Sequence, residues 1–212
     1  YACCYDAEMK QSYPPSKPIQ ARSKRTERRF LKAFDELLRI QGFSGTTIDS
    51  VAQVSGQTRS AFLKRFGSKQ GALEVLFVKY CEAASATMRD VVLNLDNAAK
   101  IHPILVSTSQ RYEALLQTHK ASNRAMHEHF LKDLEVHELT KDIFRECVEM
   151  MRHIQKQFLD ERTYTDKGAW AGAQTLVTIN YNYVVEAMPA FPVDYSERHH
   201  LIADLLKTAL RR

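Results

Sequence analysis

The chain has 212 residues, 44% of them hydrophobic and 26% charged, with a formal net charge of +5. That balance excludes a disordered chain, and a chain of this length buries a sizeable core without disulfides or a structural metal. Cys3, Cys4, Cys81 and Cys147 match neither a zinc site nor a disulfide framework, no run of ~18 apolar residues offers a membrane span, and a soluble, cytoplasmic, globular protein is expected.

Residues 1–20 balance Lys10 and Lys17 against Asp6 and Glu8 and read as a flexible N-terminal extension. They lack the basic region and apolar core of a secretory leader, and the proline-bearing stretch Gln11–Gln20 predicts no fixed structure. Residues 21–80 then hold 12 Lys and Arg against 5 Asp and Glu, whereas 81–212 hold 16 against 18. A basic first third on a slightly acidic body suits a module that meets a polyanion, although a merely solvated face reads the same way.

No proline occurs from 19 to 102 or from 104 to 188, and five of the seven glycines fall between Gly42 and Gly71. Helical periodicity over such stretches predicts an all-α protein whose glycine-dense window holds short helices and tight turns. Thr26 to Ile40 aligns Phe30, Phe34, Leu37 and Leu38 in one stripe that Gly42 stops. Thr47 can N-cap a short helix carrying Ile48, Val51 and Ala52, and Ser55-Gly56 makes the next corner. Thr58 to Phe66 buries Ala61, Phe62 and Phe66 and exposes Arg59, Ser60, Lys64 and Arg65. Ser68 caps a long helix to about Asn94, and further helices are predicted near 103–118, 121–138, 140–160, 166–188 and 196–211.

Two short helices joined by a glycine turn, the second with a basic outer face, form a helix-turn-helix. The apolar faces lock a rigid corner, so the second helix can enter the major groove and offer long donors to base edges and phosphates. The run Gly42-Phe43-Ser44-Gly45-Thr46-Thr47-Ile48, then Val51-Ala52, Gly56, Phe62-Leu63-Lys64-Arg65-Phe66-Gly67-Ser68-Lys69 and Leu73, closely resembles the TetR family of bacterial transcriptional regulators. The likeness covers about residues 25–75. It implies a three-helix DNA-binding domain over 21–67 and a larger helical domain over 68–212 that binds a ligand and dimerises.

The resemblance places Thr47 and Lys69 at positions that grip phosphates, and Arg59, Ser60 and Lys64 at groove-facing positions. Helix N-termini also attract anions on their own account, and for Thr47 a plain N-cap is compatible with that role. Thr58 replaces the family's serine and is counted with the phosphate contacts. The family's phosphate-reaching aromatic is Leu63, which cannot hydrogen-bond, while Lys64 and Arg65 beside it can compensate. Gln57 stands where an apolar residue is usual, either near the groove or at the edge of the core. Arg22, Lys24, Arg25, Arg28 and Arg29 lead into the first helix and can hold phosphates or reach the minor groove.

Beyond residue 81 no motif identifies a ligand. A pocket lined by Met126, Phe130, Met150, Trp170 and Tyr181 is expected, although Met and aromatic stripes are more often plain core. The helix near 166–188 is apolar nearly all round, which predicts core on one side and a dimer interface on the other. His127, Glu128, His129, Asp133 and His137 invite a metal reading, but solvated histidines are common and no metal is expected. Cys81 and Cys147 read as buried structural thiols. No hydrolase elbow, phosphate-binding loop, zinc-protease or dinucleotide motif is present, so no enzyme and no cofactor is expected. The sequence thus predicts a homodimeric regulator on double-stranded DNA, a repressor released from a palindromic operator by a small-molecule effector, with no membrane contact. The alternative is a constitutive or protein-partnered DNA-binding protein of the same fold.

Overall fold

A computed structural model describes residues 17–95, 100–130, 134–159, 165–185 and 195–211. These residues form α1 (Lys17–Gly45), α2 (Ile48–Ser55), α3 (Arg59–Phe66), α4 (Lys69–Leu93), α5 (Ile101–Thr118), α6 (Lys120–Phe130), α7 (Leu134–Phe158), α8 (Asp166–Val185) and α9 (Tyr195–Ala209). No strand occurs among the described residues.

The first three helices are cut by their caps. α1 starts earlier than the predicted Thr26, because Pro18 sits in its first turn, where a missing N–H is no loss, and the basic residues that follow continue the helix. Its regular backbone breaks at Gly42, which takes φ 69°. Thr47 Oγ1 accepts from the Ser50 amide at 3.1 Å and Ser50 Oγ accepts from the Thr47 amide at 3.1 Å, a reciprocal cap on α2. Gly56 ends α2 in the left-handed region at φ 64°, and the Gln57 amide reaches back to the Ala52 carbonyl at 2.9 Å. Thr58 caps α3 and Ser68 caps α4 by the same side-chain device.

An aromatic cluster fastens this corner. The ring of Phe30 on α1 meets Phe62 of α3 edge-on at 5.4 Å and Phe66 at 5.9 Å, and Phe62 and Phe66 lie 4.9 Å apart. Phe30, Phe34, Val51 and Phe62 are fully buried. α3 therefore cannot rotate about its axis without breaking the core, so its outward residues are fixed in direction.

In the rest of the chain α4 packs on α6 and α7, while α8 packs against α5, α7 and α9, and α5 lies along α9. Of the helices predicted at 121–138 and 140–160, the described residues show α6 over Lys120–Phe130 and α7 over Leu134–Phe158, and residues 131–133 lie outside those described. α9 is mostly core: Ile202, Ala203 and Leu206 are buried within the chain, while Leu205 stays exposed. Between α5, α8 and α9 lies a polar network that the sequence did not announce. The buried Arg198 guanidinium pairs with the buried Glu113 carboxylate. His199 Nε2 stands 3.1 Å from Glu113, its Nδ1 2.9 Å from Ser109 Oγ, and that hydroxyl lies 3.3 Å from Asn180 Oδ1. Buried charge is tolerated because it is paired and hydrogen-bonded.

Candidate functional site

The outer face of the first lobe is basic. Arg59, Ser60 and Lys64 are exposed on α3, as the sequence predicted. Arg59 Nη1 reaches Asp49 Oδ2 on α2 at 2.7 Å, and both side chains are more than half exposed, so this pair is weak and can be exchanged for another anion. A shallow groove between α1 and α3 is lined by Arg22, Ser23, Thr26, Ala61, Lys64 and Arg65. Lys24, Arg25, Arg28 and Arg29 are exposed along α1 on the approach to it.

Several expected phosphate contacts have internal work as well. Thr47 and Thr58 are exposed N-caps, and each offers a helix N-terminus to the surface. Arg65 Nη1 pairs with Glu27 on α1 at 2.9 Å, which ties α3 to α1. Lys69 differs most from an outward point charge. Its Nζ donates to the carbonyls of Phe43 at 2.7 Å and Thr46 at 2.9 Å, and lies 4.1 Å from the centre of the Phe43 ring. Partial burial draws its pKa below the usual lysine value. Gln57 is half-buried and its Nε2 donates to the Gly56 carbonyl at 2.8 Å, so it sits at the rim of the turn.

A cavity of about 210 Å³ opens between α4, α5, α6, α7 and α8. Of the five expected lining residues, Met126 and Tyr181 stand in its wall. Met150 does not: it is buried in the core away from the cavity. Trp170 is corrected too, because it is 55% exposed and outside the lining, where it meets the wall residue Phe144 edge-on at 5.9 Å. The side chain of Phe130 lies outside the described residues. The walls also include Phe77, Tyr80, Tyr112, His127 and Val177, which sequence reasoning missed. Apart from His127, each is one residue of an ordinary apolar or aromatic helix stripe, and only tertiary packing brings them together.

Three tyrosines supply hydroxyls there. Tyr80 and Tyr112 oxygens are 3.3 Å apart, and burial pushes both pKa values up, so both remain neutral phenols. Burial pushes Tyr181 up to about 12. His127 Nδ1 and both amide atoms of Asn123, one turn earlier on α6, are buried without a hydrogen-bond partner.

Of the histidine group, His127 turns to the cavity, its ring 5.9 Å from Tyr181, whereas the His129 ring lies 5.0 Å from Phe43. Asp133 and the His137 side chain lie outside the described residues, and among those described no trio of His, Cys, Asp or Glu is placed to hold a metal. Cys81 and Cys147 are buried thiols pushed up to about 12, chiefly by burial, and far from a reactive thiolate. Among the described residues no helix is long and apolar enough to cross a membrane.

No family model matches the sequence, and no curated protein sequence matches it either. Solved structures do match by shape. One is a protein from Mesorhizobium loti described as a TetR-family transcriptional regulator, at TM-score 0.68 and 14% identity over 89% of this chain and 96% of that one. Salmonella enterica GusR gives a TM-score of 0.69 at 15% identity, over 93% of this chain and 99% of its own. The TetR-family regulator PfmR from Thermus thermophilus gives 0.61 at 16% identity, over 87% and 100%. With its capped helices α2 and α3 braced on α1 and a helical body beyond them, this chain shares the overall all-α fold of these TetR-family transcriptional regulators.

Proposed function

We propose that the chain is a DNA-binding transcriptional regulator, acting as a homodimer on a palindromic operator and released from it by a small molecule. The observation that carries this is the locked corner of α2 and α3, which presents Arg59, Ser60 and Lys64 outward beside the basic groove of α1. Arg59 and Lys64 are long donors suited to guanine edges, and Thr47, Thr58, Lys24, Arg25 and Arg65 suit phosphates. The regulator role of the similarly folded proteins supports the same reading.

Release would be a linkage between cavity and corner. α6 suits this because it touches both. Met126 and His127 line the cavity, while His129 meets Phe43 at the end of α1, where Lys69 also holds on. Arg39 of α1 further donates to the Thr118 carbonyl just before α6, at 3.3 Å. The long helix α4 joins the two lobes in the chain, and α6 adds a second connection.

Fluorescence titration of labelled duplexes, selected from a random pool, tests the reading at two salt concentrations. Tight binding with a steep salt dependence is expected. Arg59→Ala and Lys64→Ala should each cost roughly 1–3 kcal/mol on the selected duplex and less on a scrambled one. Equal losses on both duplexes would make these phosphate contacts, and no binding at low salt would sink the proposal.

A further inference from the structure

The cavity is small and chemically narrow, and this defines what it takes. We propose that it binds one neutral, single-ring aromatic molecule carrying a short alkyl arm and one hydroxyl, of which a small alkylphenol is the type. The assignment rests on the reading of this cavity as the effector site.

Size sets the first limit. A buried space of about 150 Å³ accepts benzene, so the 210 Å³ here suits one ring and a few further heavy atoms. Charge sets the second. Among the described residues no Asp, Glu, Lys or Arg lines the cavity, so an ion entering it would shed its water and meet no counter-charge from them. Phe77, Met126, Ile143, Phe144 and Val177 offer apolar and aromatic surface to a ring.

The polar groups fix the third limit. Tyr80 and Tyr112 share one hydrogen bond between two hydroxyls, which leaves one O–H hydrogen to donate elsewhere. His127 lines the cavity with its Nδ1 buried and unpartnered, and the unpartnered Asn123 amide follows the same face of α6 one turn away. A ligand hydroxyl both donates and accepts, so it can answer a tyrosine O–H and His127 Nδ1 at once, in either tautomer of the ring. A carbonyl can only accept, and a hydrocarbon can do neither.

Titration calorimetry on the full chain, without DNA, tests this with 4-propylphenol, propylbenzene and 4-propylbenzoate. One 4-propylphenol should bind per chain, propylbenzene about tenfold more weakly, and 4-propylbenzoate not detectably. His127→Leu should bring the phenol down to the affinity of propylbenzene and leave propylbenzene itself unchanged. Val177→Phe should fill the cavity and abolish phenol binding, with helix content by circular dichroism retained. If Val177→Phe fails to fold, the ligand series on the unaltered chain and His127→Leu still decide. Absence of phenol binding, equal binding of the benzoate, or unchanged binding in a folded Val177→Phe would overturn the assignment. These outcomes leave DNA binding untouched, whereas failure of the duplex titration removes the regulatory reading and leaves the cavity a phenol site without an effector role.

Discussion

The ammonium of Lys69 holds the carbonyls of Phe43 and Thr46 at the C-terminal end of α1, where the Phe43 carbonyl also accepts from the Thr46 amide at 3.2 Å. Lys69→Met keeps the stem and deletes the donor, so it should lower stability by about 1.5–3 kcal/mol in urea unfolding, the usual value of a charged hydrogen bond. The salt slope of DNA binding should stay unchanged. A slope smaller by about 1 would instead show that the ammonium reaches a phosphate. Arg59 stands in the opposite situation. Its partner Asp49 is an exposed carboxylate on the same basic face, so it competes with DNA for the guanidinium and repels phosphates. Asp49→Ala should therefore tighten binding to selected and scrambled duplexes alike in fluorescence titration. It should also lose about 0.3–1 kcal/mol of stability, because Asp49 lies in the first turn of α2, where negative charge suits the helix dipole.

At the scale of elements, close approach decides where α8 and α9 meet. A Cβ on Gly168 would stand 2.7 Å from the Leu210 carbonyl oxygen and 2.6 Å from Gln155 Nε2, which itself donates to that oxygen at 2.7 Å. The backbone oxygen cannot swing aside as a side chain can. Gly168→Ala should consequently lower stability by about 1–3 kcal/mol by urea unfolding and loosen the end of α9 in hydrogen exchange. Neutral behaviour of this variant would mean that α9 can shift freely. Glycine pairs of this kind carry no local signature, so the sequence did not reveal the contact. The short helices α2 and α3 were legible for the contrary reason. Thr47, Gly56, Thr58, Gly67 and Ser68 act on their immediate neighbours, and local caps can be read from local letters. The internal partners of Lys69 were not legible in the same way, because they lie 23 and 26 residues away.

Over the whole molecule, distance along the chain governed what could be read. The short helices of the basic lobe are contiguous in sequence and legible there, whereas the cavity draws its wall from helices spread between Phe77 and Tyr181, and the Glu113–Arg198–His199 network spans α5 and α9. That network bears on pH. Burial holds His199 below the ordinary histidine value, with Glu113 pulling the other way and Arg198 and His200 reinforcing burial; half-buried His119 is lowered chiefly by burial as well. Such a base binds its proton more readily in the unfolded chain. Stability is therefore full above the unfolded value of about 6.5 and is lost as pH falls towards the lower folded values. The melting temperature should drop on acidification through this window, less so in His119→Gln, and an equal drop would discharge His119 of any part. The dimer is the larger test. Of the apolar groups on the last two helices, Ile202 and Leu206 are taken by the chain's own core, yet Trp170 is 55% and Leu205 40% exposed. Two exposed faces of α8 and α9 from two copies can close as a four-helix bundle about a twofold axis, which would also set two α3 helices at a fixed spacing. Light scattering at micromolar concentration should give twice the 24.4 kDa chain mass. Trp170 is the one tryptophan in the sequence, so its emission should move to longer wavelength as dilution splits the dimer and wets the indole. Trp170→Arg combined with Leu205→Arg should leave a helical monomer that binds half of a palindrome and no longer the whole cooperatively. A stable unaltered monomer would sink the dimer, and a dimer whose Trp170 emission ignores dilution to monomer would move the interface off α8.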